Sequence, residues 1–376
     1  MATRDTIGVG VIGCGMISGA YLSAAKTFPV IDVVGCADVM MDRAREKAEE
    51  FGTKAMTNEE IYADPAIDIV VNLSPPLMHS EINLAALEAG KHVYSEKPFG
   101  VDAEDAARVI QVAREKNLRV GSAPDTFLGG GLQTCRKLID DGWIGSPISA
   151  TAIFMGRGPE TWGQAPFFYD YGAGPMLDLG PYYITALVHL FGPAKSVVAM
   201  TKKGSEYRTF AGEVAPQYQD TYKPYDRYPV NVTTHLTGVV EFHSGVTATV
   251  ITSFEAFAHT HPSMEVYGDQ GSMTCPDPNT FGGPVRVLRN GDKREWQDVP
   301  LTHIYSDNSR SLGVADMAQA ILNNREHRCN GDLASHVLEI MLAFDRASQD
   351  EKKIVLETTC DQPAPFPLGM MAGVLD

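Results

Sequence analysis

The first third of the chain alternates short apolar runs with longer amphipathic stretches. IGVGVIG, IDVVGCAD and DIVVNLS are apolar runs, and MDRAREKAEEF between the last two has helical spacing. Continuous apolar strands are typical of a parallel sheet covered on both faces, because each connecting helix packs back onto the sheet. From Thr6 to Ala123 the pattern therefore predicts the order βαβαβαβαβ, a doubly wound α/β domain.

After Asp125 the pattern changes. A helix is predicted over Leu132 to Asp140, and the segments ISATAIFMG and VTATVITSFEA then alternate polar and apolar residues. Alternation with period two indicates an antiparallel sheet with one covered face. We predict a dinucleotide-binding domain over residues 1–125 and an α+β domain for substrate binding and oligomerisation over residues 126–376.

Three further segments of the second half stand out. Long stretches rich in glycine, proline and aromatic residues run from Gly156 to Gly174 and from Phe210 to Pro229, and loops of that length usually carry function. A late helix over Gly313 to Leu322 is expected to return to the first domain.

Length and charge narrow the class of protein. A chain of 376 residues exceeds one hydrophobic core and suggests two domains. The net charge of −16 repels phosphate backbones and anionic lipids, so neither a nucleic-acid nor a membrane partner is expected. The six cysteines show no C-x-x-C pairing, and no signal peptide or membrane-spanning stretch is evident, which favours the cytoplasm.

The turn GVIGCGMISGAY places Gly13 and Gly15 where the first strand passes into a helix. Without side chains these residues let the backbone turn tightly and approach a pyrophosphate, whose charge the helix N-terminus stabilises. The third position of this fingerprint is Ser18, followed by Gly19. An ordinary tight turn is the alternative, but the turn opens the first βαβ unit, which favours dinucleotide binding.

Strand two ends at Asp38, roughly twenty residues beyond the glycines, where a carboxylate can accept both hydroxyls of the adenosine ribose. The same carboxylate would repel a 2′-phosphate, so we predict NAD in preference to NADP. The alternative for Asp38 is a helix N-cap, and Arg43 lies a turn into the following helix.

Strand three ends in NLSPPLMHSE, and strand four runs into YSEKPFG. Residues 74–77 must cross the C-terminal edge of the sheet, where the cofactor of an open α/β sheet lies, with His79 as a helix-start residue beside it. Lys97, followed by a proline of fixed φ, is expected to point its ammonium at the nicotinamide region. A solvated lysine at a strand end is the alternative.

A second informative segment, YDYGAGPMLDLGPYYITALVHLFG, predicts a long apolar helix that carries Asp178 and Tyr182. Residues four apart share one helix face, so the carboxylate and the phenol are expected to converge on one substrate. An aspartate in so apolar a helix needs a partner, and Lys97 is our candidate for it.

These motifs together resemble the family of glucose-fructose oxidoreductases, inositol dehydrogenases and rhizopine-catabolism proteins (Gfo/Idh/MocA). The resemblance extends over nearly the whole chain and rests on the GCGMIS turn, Asp38, the NLSPPLMHSE loop, EKP, GAGPMLDLGPYY and VYGDQGSM near Gly268. It implies a Rossmann domain, a C-terminal domain with a large open sheet, assembly as a homodimer or homotetramer, and NAD(P)-linked oxidation or reduction of sugars and polyols.

The resemblance also assigns residues. The catalytic lysine of the family matches Lys97, and its Asp-x-x-x-His pair matches Asp178 and position 182, where this chain has Tyr182; Thr185 stands in place of a second aspartate. A neighbouring ammonium favours phenolate, so we predict Tyr182 as the base, Lys97 as the charge that activates it and polarises the substrate oxygen, and Asp178 as the orienting group. Tyr183 or Lys97 itself as the base is the alternative.

Substrate contacts are expected from the segment GRGPETWGQAPFFYDYG, in which Glu160, Trp162 and Tyr169 combine a carboxylate with aromatic faces; a packed loop core is the alternative. The resemblance places an aromatic of this loop near the nicotinamide and favours Trp162. His235 on a strand is a further substrate candidate, and His259 with His261 is interpreted as structural, so no metal site is predicted. The predicted cofactor contacts are Gly13, Gly15, Met16, Ile17, Asp38, Ser74, Pro75, Leu77, His79, Glu96, Lys97 and Trp162.

The sequence thus predicts an NAD-dependent dehydrogenase acting on a hydroxyl of a small sugar or polyol. We favour oxidation of an aldose, such as a pentose or a branched sugar, at C1 to a lactone. The alternatives are a dehydrogenase of ring hydroxyls in inositols or glycosides, a glycosidase that retains its NAD, and a non-catalytic NAD-binding sensor. The presence of both Lys97 and Asp178 favours an enzyme over a sensor.

Overall fold

The N-terminal half of the computed structural model contains a parallel sheet of six strands in the order β3-β2-β1-β4-β5-β6. The structure describes residues 5–291 and 295–376. The sheet is built outward in one direction from β1 to β3 and in the other from β4 to β6, so the carboxyl ends of β1 and β4 flank a crevice. The strands are β1 (Ile7–Ile12), β2 (Ile31–Ala37), β3 (Lys54–Met56), β4 (Ile69–Asn72), β5 (His92–Ser95) and β6 (Val120–Ser122).

Five helices connect these strands. Their starts carry recognisable signals: Thr57 and Glu60 form a capping box, and the side chain of Asp102 accepts a hydrogen bond from the backbone of Asp105. The sequence pattern did not predict β3 and the helix after it, because elements of three and six residues are too short to show a period. The helices are α1 (Ser18–Ala25), α2 (Met41–Phe51), α3 (Asn58–Ala63), α4 (His79–Glu88) and α5 (Ala103–Glu115).

The second half is built on a nine-stranded sheet in the order β16-β15-β14-β13-β7-β12-β11-β8-β17. All neighbours are antiparallel except β7 and β12, which are parallel. Alternation holds as predicted: in β12, Ala248 and Val250 are buried while Thr247 and Thr249 are exposed. The strands are β7 (Pro147–Met155), β8 (Ala194–Lys202), β11 (His235–Phe242), β12 (Thr247–Ser253), β13 (Met264–Gly268), β14 (Gly271–Cys275), β15 (Val285–Arg289), β16 (Gln297–Val299) and β17 (Ile354–Val355), with a separate pair β9 (Tyr207–Thr209) and β10 (Arg227–Pro229).

The longer helices of the second half are α6 (Gly130–Asp140), α7 (Gly174–Phe191), α8 (Leu312–Asn323) and α9 (Gly331–Gln349). Helix α9 packs on β8 and α7 and also contacts α5 and β6 of the first sheet. The expected return of the late helix is confirmed, because α8 contacts α1 and β6. At its start, Ser311 Oγ donates to the carbonyl of Tyr21, and the backbone amide of Gly313 donates to Asp125.

The two long loops pack against one another around a core of their own. We call this the aromatic cluster, which comprises the buried residues Ala165, Phe168, Tyr169, Phe210, Val214, Tyr228, Val230 and Phe254. Its rings meet edge to face or tilted, with centroids 4.9 Å apart for Phe210 and Tyr228. In the described part of the chain, no helix is long and apolar enough to cross a membrane.

Candidate active site

The first turn forms an open cradle at the sheet edge. Gly13 has φ +104°, and a Cβ there would lie 2.7 Å from the carbonyl of Leu73, so the fold itself requires this glycine. Gly15 differs, because a Cβ would meet no atom within 4 Å. Helix α1 then begins without a side-chain cap and without an acidic residue in its first turn. This arrangement suits an anion such as a pyrophosphate, which approaches the backbone where a side chain would otherwise stand.

Asp38 lies directly beyond β2 and fixes this turn. Its Oδ2 accepts a hydrogen bond of 2.8 Å from the amide of Cys14, and its Oδ1 accepts one of 2.8 Å from the amide of Met40. The N-cap position of α2 belongs to Met40, so Asp38 is not the cap. Each carboxylate oxygen retains acceptor capacity, and the residues present therefore fit a ribose with free hydroxyls.

Large apolar side chains lie exposed along the same crevice. Met16 is 80% exposed and Leu77 57% exposed, and Val39 beside Asp38 is 94% exposed. Apolar surface of this kind clustered at a groove indicates a binding site rather than a core. Of the other predicted cofactor contacts, Pro75 is exposed and Ile17 and Ser74 are partly exposed at this edge.

His79 does not border the crevice, contrary to the prediction. Its ring is fully buried, with Nδ1 2.7 Å from the carbonyl oxygen of Pro98 and Nε2 2.8 Å from that of Ser74. Burial lowers the pKa of this imidazole. The side chain therefore ties the loop after β4 to the loop after β5 and has no surface left for a cofactor.

Lys97 and Asp178 form the pair that the apolar helix required, which confirms that prediction. Lys97 Nζ donates to Asp178 Oδ1 at 2.9 Å and to the Asp178 carbonyl at 2.7 Å. Burial alone would lower the pKa of Lys97, but the carboxylate of Asp178 and other neighbouring groups outweigh it and raise the pKa above its usual range. Lys97 is therefore an ammonium at neutral pH in the protein without ligands.

The backbone around Lys97 is held by Glu96, which is 8% exposed. Glu96 Oε2 accepts from the amide of Lys97 at 2.8 Å, and Oε1 accepts from the hydroxyl of Tyr21 on α1 at 2.9 Å. Glu96 thereby links the lysine to the helix that follows the Gly13 turn. Both carboxylate oxygens are used by the protein.

Tyr182 lies between two cations. Lys97 Nζ is 5.1 Å from the centroid of its ring, as the prediction of proximity requires, but it approaches the ring and directs its hydrogens to Asp178. The cation at the phenol oxygen is Arg310, whose Nη2 lies 3.4 Å away. Arg310 precedes α8, 128 residues further along the chain, and no local motif marks it in the sequence. Sequence reasoning missed it for that reason.

A cleft of about 990 Å³ opens beside Asp178. The loop carrying Trp162 forms one wall, and Trp162 is 53% exposed and contacts Phe168 edge to face. Two positions on, Gln164 Nε2 lies 3.5 Å from the sulfur of Met16, so this wall reaches the turn of the first domain. The residues that line the cleft include Phe154, Glu160, Trp162, Asp178, Tyr207 and Tyr225.

The remaining substrate candidates are buried in the protein or lie away from the cleft. Glu160 borders the cleft but is 6% exposed and pairs with Arg208 Nη1 at 3.0 Å, while Tyr169 is fully buried in the aromatic cluster. His235 Nδ1 lies 3.0 Å from Ser253 Oγ, and the residue does not line the cleft. The packed-core alternative therefore describes Tyr169, because it has no exposed surface.

Within the described residues, no group of three or more His, Cys, Asp or Glu side chains is placed to hold a metal ion. The rings of His259 and His261 stack with centroids 6.2 Å apart on an exposed turn.

Several curated proteins are similar to this chain. The scyllo-inositol 2-dehydrogenase (NADP(+)) IolW of Bacillus subtilis (strain 168) is 29% identical over 52% of this chain and 54% of its own length. The D-glucoside 3-dehydrogenase of Escherichia coli (strain K12) is 26% identical over 89% of each. The chain thus spans about half the length of the first of these relatives and most of the second.

Solved structures share the fold. A levoglucosan dehydrogenase in complex with NADH and levoglucosan superposes with a TM-score of 0.79 at 20% identity, over 94% of this chain and all of that one. The family model described as "Oxidoreductase family, NAD-binding Rossmann fold" matches residues 7–123, and that of the "GFO/IDH/MocA C-terminal domain" matches residues 132–274. Both halves of the chain therefore belong to the Gfo/Idh/MocA family of oxidoreductases.

Proposed function

We propose that this protein oxidises a hydroxyl of a sugar or cyclic polyol with NAD as the acceptor. The observation that carries the proposal is the contact of Lys97 with Asp178 and Tyr182, one helical turn apart on α7, at the sheet edge that also holds the Gly13–Gly15 turn. A cation, a carboxylate and a phenol meet where a Rossmann domain presents its nicotinamide.

The cradle at Gly15 and the carboxylate of Asp38 would hold the pyrophosphate and the adenosine ribose. When bound, the nicotinamide supplies the site that accepts the hydride. Asp38 supports NAD over NADP, because a 2′-phosphate beside it would bring like charges together. One relative, IolW, is named as NADP-dependent, so the preference needs a direct measurement.

Each residue then has one task. Acting as a phenolate, the form that neighbouring cations favour, Tyr182 accepts the hydroxyl proton and becomes a phenol, and Lys97 polarises the substrate oxygen as the alkoxide character develops. Asp178 holds the ammonium through its side chain and its carbonyl, which fixes the direction of Nζ. Lys97 is a poorer base, because its pKa is raised and a base must first lose its proton.

The size of the cleft bears on the hydroxyl that reacts. A hexose displaces roughly the volume of six water molecules, about 180 Å³ at the ~30 Å³ that each takes up in the liquid. The cleft of about 990 Å³ therefore has room for a second ring or an aglycone. This supports a ring hydroxyl of a glycoside over the C1 of a free aldose, which the sequence alone favoured, and the D-glucoside and levoglucosan dehydrogenases are named for such substrates.

We also propose that the protein works as a homodimer or homotetramer. The nine-stranded sheet exposes apolar side chains on neighbouring strands, with Met200 76% and Val198 43% exposed on β8 and Val239 37% exposed on β11. Such a patch favours burial against another chain. Light scattering after gel filtration would give the mass, and a monomer at micromolar concentration would contradict the proposal.

The decisive experiment is NADH formation by the purified protein with NAD or NADP across aldoses, inositols and glycosides. Tyr182→Phe should lower kcat about 10²- to 10⁴-fold, the range for one acid–base group, and should still bind NAD. Tyr183→Phe on the same helix is the matched control and should retain its turnover.

Each outcome discriminates among the alternatives. Normal turnover of Tyr182→Phe would remove the phenol from the mechanism. Tight NAD binding with no NADH from any substrate would favour a sensor, whereas cleavage of glycosides without net NADH would identify a glycosidase that retains its cofactor.

A further inference from the structure

Arg310 is partly exposed, and it differs from the buried Arg208 and Arg328 in what neutralises its charge. Arg208 contacts Glu160 and Glu255, and Arg328 contacts Asp316 and Asp376. For Arg310, no carboxylate of the described residues lies within 4.0 Å of the guanidinium, although the side chain is largely enclosed. A guanidinium that is withdrawn from water without a counter-ion is costly.

The side-chain contacts that Arg310 makes are to the phenol oxygen of Tyr182 and to two amide oxygens, and none is to a carboxylate. Nη2 lies 3.4 Å from the Tyr182 hydroxyl and 3.4 Å from Asn279 Oδ1, and Nη1 lies 3.1 Å from Asn308 Oδ1. Charge-assisted hydrogen bonds are usually about 2.7–2.9 Å. The guanidinium is therefore oriented by these residues without having its donors fully used.

Two buried carboxylates act on Arg310 only from a distance. Against the effect of burial, Tyr182 raises the pKa of Arg310 most, and Asp125 and Glu96 raise it further. The oxygens of Glu96 are taken by Tyr21 and by the amide of Lys97, and Asp125 accepts from the amide of Gly313. Glu96 and Asp125 therefore stabilise the charge of Arg310 without contacting its guanidinium nitrogens.

The backbone holds Arg310 in this position. The next residue, Ser311, has φ +86°, a left-handed conformation that is unfavourable for a residue with a side chain, and it is 3% exposed. Its hydroxyl donates to the carbonyl of Tyr21 on α1. Strain of this kind is retained where function requires it, and here it presents the guanidinium to Tyr182.

We propose that Arg310, assisted by the amide of Asn279, binds a carboxylate of the substrate, so that the substrate is a sugar acid. The planar fork of arginine matches a carboxylate with two parallel hydrogen bonds. Asp178 and Tyr182 are separated by about 6 Å along α7, since each residue rises about 1.5 Å. A carboxylate on the oxidised ring can therefore reach Arg310 while its hydroxyl meets Lys97 and Tyr182.

The inference rests on the proposed function and is tested with matched substrates. NADH formation is compared for glucuronate and glucose, galacturonate and galactose, and methyl glucuronide and methyl glucoside, with glucose 6-phosphate as a second anion. We expect each acid to exceed its neutral partner about 10- to 100-fold in kcat/KM, the range for one charged hydrogen bond. Arg310→Gln should abolish this ratio, and Arg310→Lys should reduce it, because the charge remains without the fork.

Arg286→Gln is the matched control. It removes the same charge from an exposed residue on β15, and the acid-to-neutral ratio should stay as in the wild type. An unchanged ratio in Arg310→Gln would overturn the inference. Preference for the phosphate ester over the acids, or weaker NAD binding by Arg310→Gln with the ratio intact, would overturn it as well.

Failure of this inference is distinct from failure of the proposed function. NADH formed from neutral sugars only would leave the function standing and reject the sugar acid. If no substrate yields NADH, calorimetry with the NAD-loaded protein decides. Glucuronate binding that exceeds glucose binding and is lost in Arg310→Gln supports the carboxylate site, and equal binding rejects it.

Discussion

Two regions of this molecule place a guanidinium beside a tyrosine, and they neutralise it differently. In the aromatic cluster, Arg208 is 8% exposed, pairs with Glu160 at 3.0 Å and also contacts Glu255, and lies 5.5 Å from the ring of Tyr169. At the active site, Arg310 contacts the oxygen of Tyr182 and two amide oxygens but no carboxylate, and Lys97 is paired but partly exposed. The cluster pairs its guanidinium with two carboxylates, whereas the active site leaves one guanidinium with no carboxylate in contact among the described residues.

The comparison shows how a charged side chain is recognised as structural or functional. Residue type does not decide it, since both regions use arginine, tyrosine and a carboxylate. What decides is whether partners within the protein satisfy the charge, because an unsatisfied buried charge costs stability unless a ligand uses it. Glu160, predicted as a substrate contact, lies on the paired side of this division through Arg208, while its Oε2 and the hydroxyl of Tyr169 are buried without a hydrogen-bond partner.

Breaking the cluster should give the largest effect on stability. Arg208→Met leaves the buried Glu160 with only the exposed Arg157, whose Nε is 3.8 Å away, and we expect a loss of about 3 kcal/mol in the free energy of unfolding. Urea denaturation followed by circular dichroism measures it. Arg227→Met, which removes an exposed arginine over Tyr207, is the control and should stay within about 0.5 kcal/mol. Similar losses in both would mean that the cluster does not depend on its internal ion pair.

The active-site region should instead gain stability when a charge is removed. Burial raises the pKa of Asp125 from 3.8 to about 6 in the folded protein. Below pH 3.8 the carboxyl is protonated in both states; as pH rises toward 6 only the unfolded chain loses the proton, so folding becomes less favourable, by up to about 3 kcal/mol above pH 6.

Asp125→Asn should therefore be more stable than the wild type above pH 6 and should show no such decline between pH 4 and 6. Denaturation curves across that range test this, with exposed Asp298→Asn as the control. A variant less stable than the wild type at pH 7 would show that the ionised carboxylate is needed by the fold.

The smallest effect on stability is expected at Gly15 of the first turn. The Cβ of an alanine at position 15 would meet no atom within 4 Å. For Gly15→Ala we therefore expect unchanged stability or a gain of about 0.4–1 kcal/mol in the free energy of unfolding, together with clearly weaker NAD binding. Gly13→Ala is the contrasting variant and should destabilise, because of its positive φ and the Leu73 carbonyl. Thermal melting and NAD titration separate the two roles. Unaltered NAD affinity in Gly15→Ala would show that the cofactor does not approach this backbone.

Whether a feature could be predicted from the sequence depended on how far apart in the chain the interacting residues lie and on whether their residue types signal the interaction. The Gly13 turn, Asp38 and the alternation in β12 were predicted because each depends on neighbours within one or two elements. The pair Lys97–Asp178 spans 81 residues and was still predicted, because an aspartate in an apolar helix demands a partner. The burial of His79 was not predicted, since its partners, the carbonyls of Ser74 and Pro98, carry no signal in residue type.

By itself the sequence determined the Rossmann half, the alternating strands of the second sheet and the residue types that meet at their junction, because periodicity and turn chemistry are local properties. Only the tertiary structure decided which charged groups are satisfied. Arg310 reaches Tyr182, and Arg208 reaches Glu160, through loops that close long segments of chain. Whether a cation finds an anion there depends on the packing of α8 and the aromatic cluster, which is a property of the whole fold.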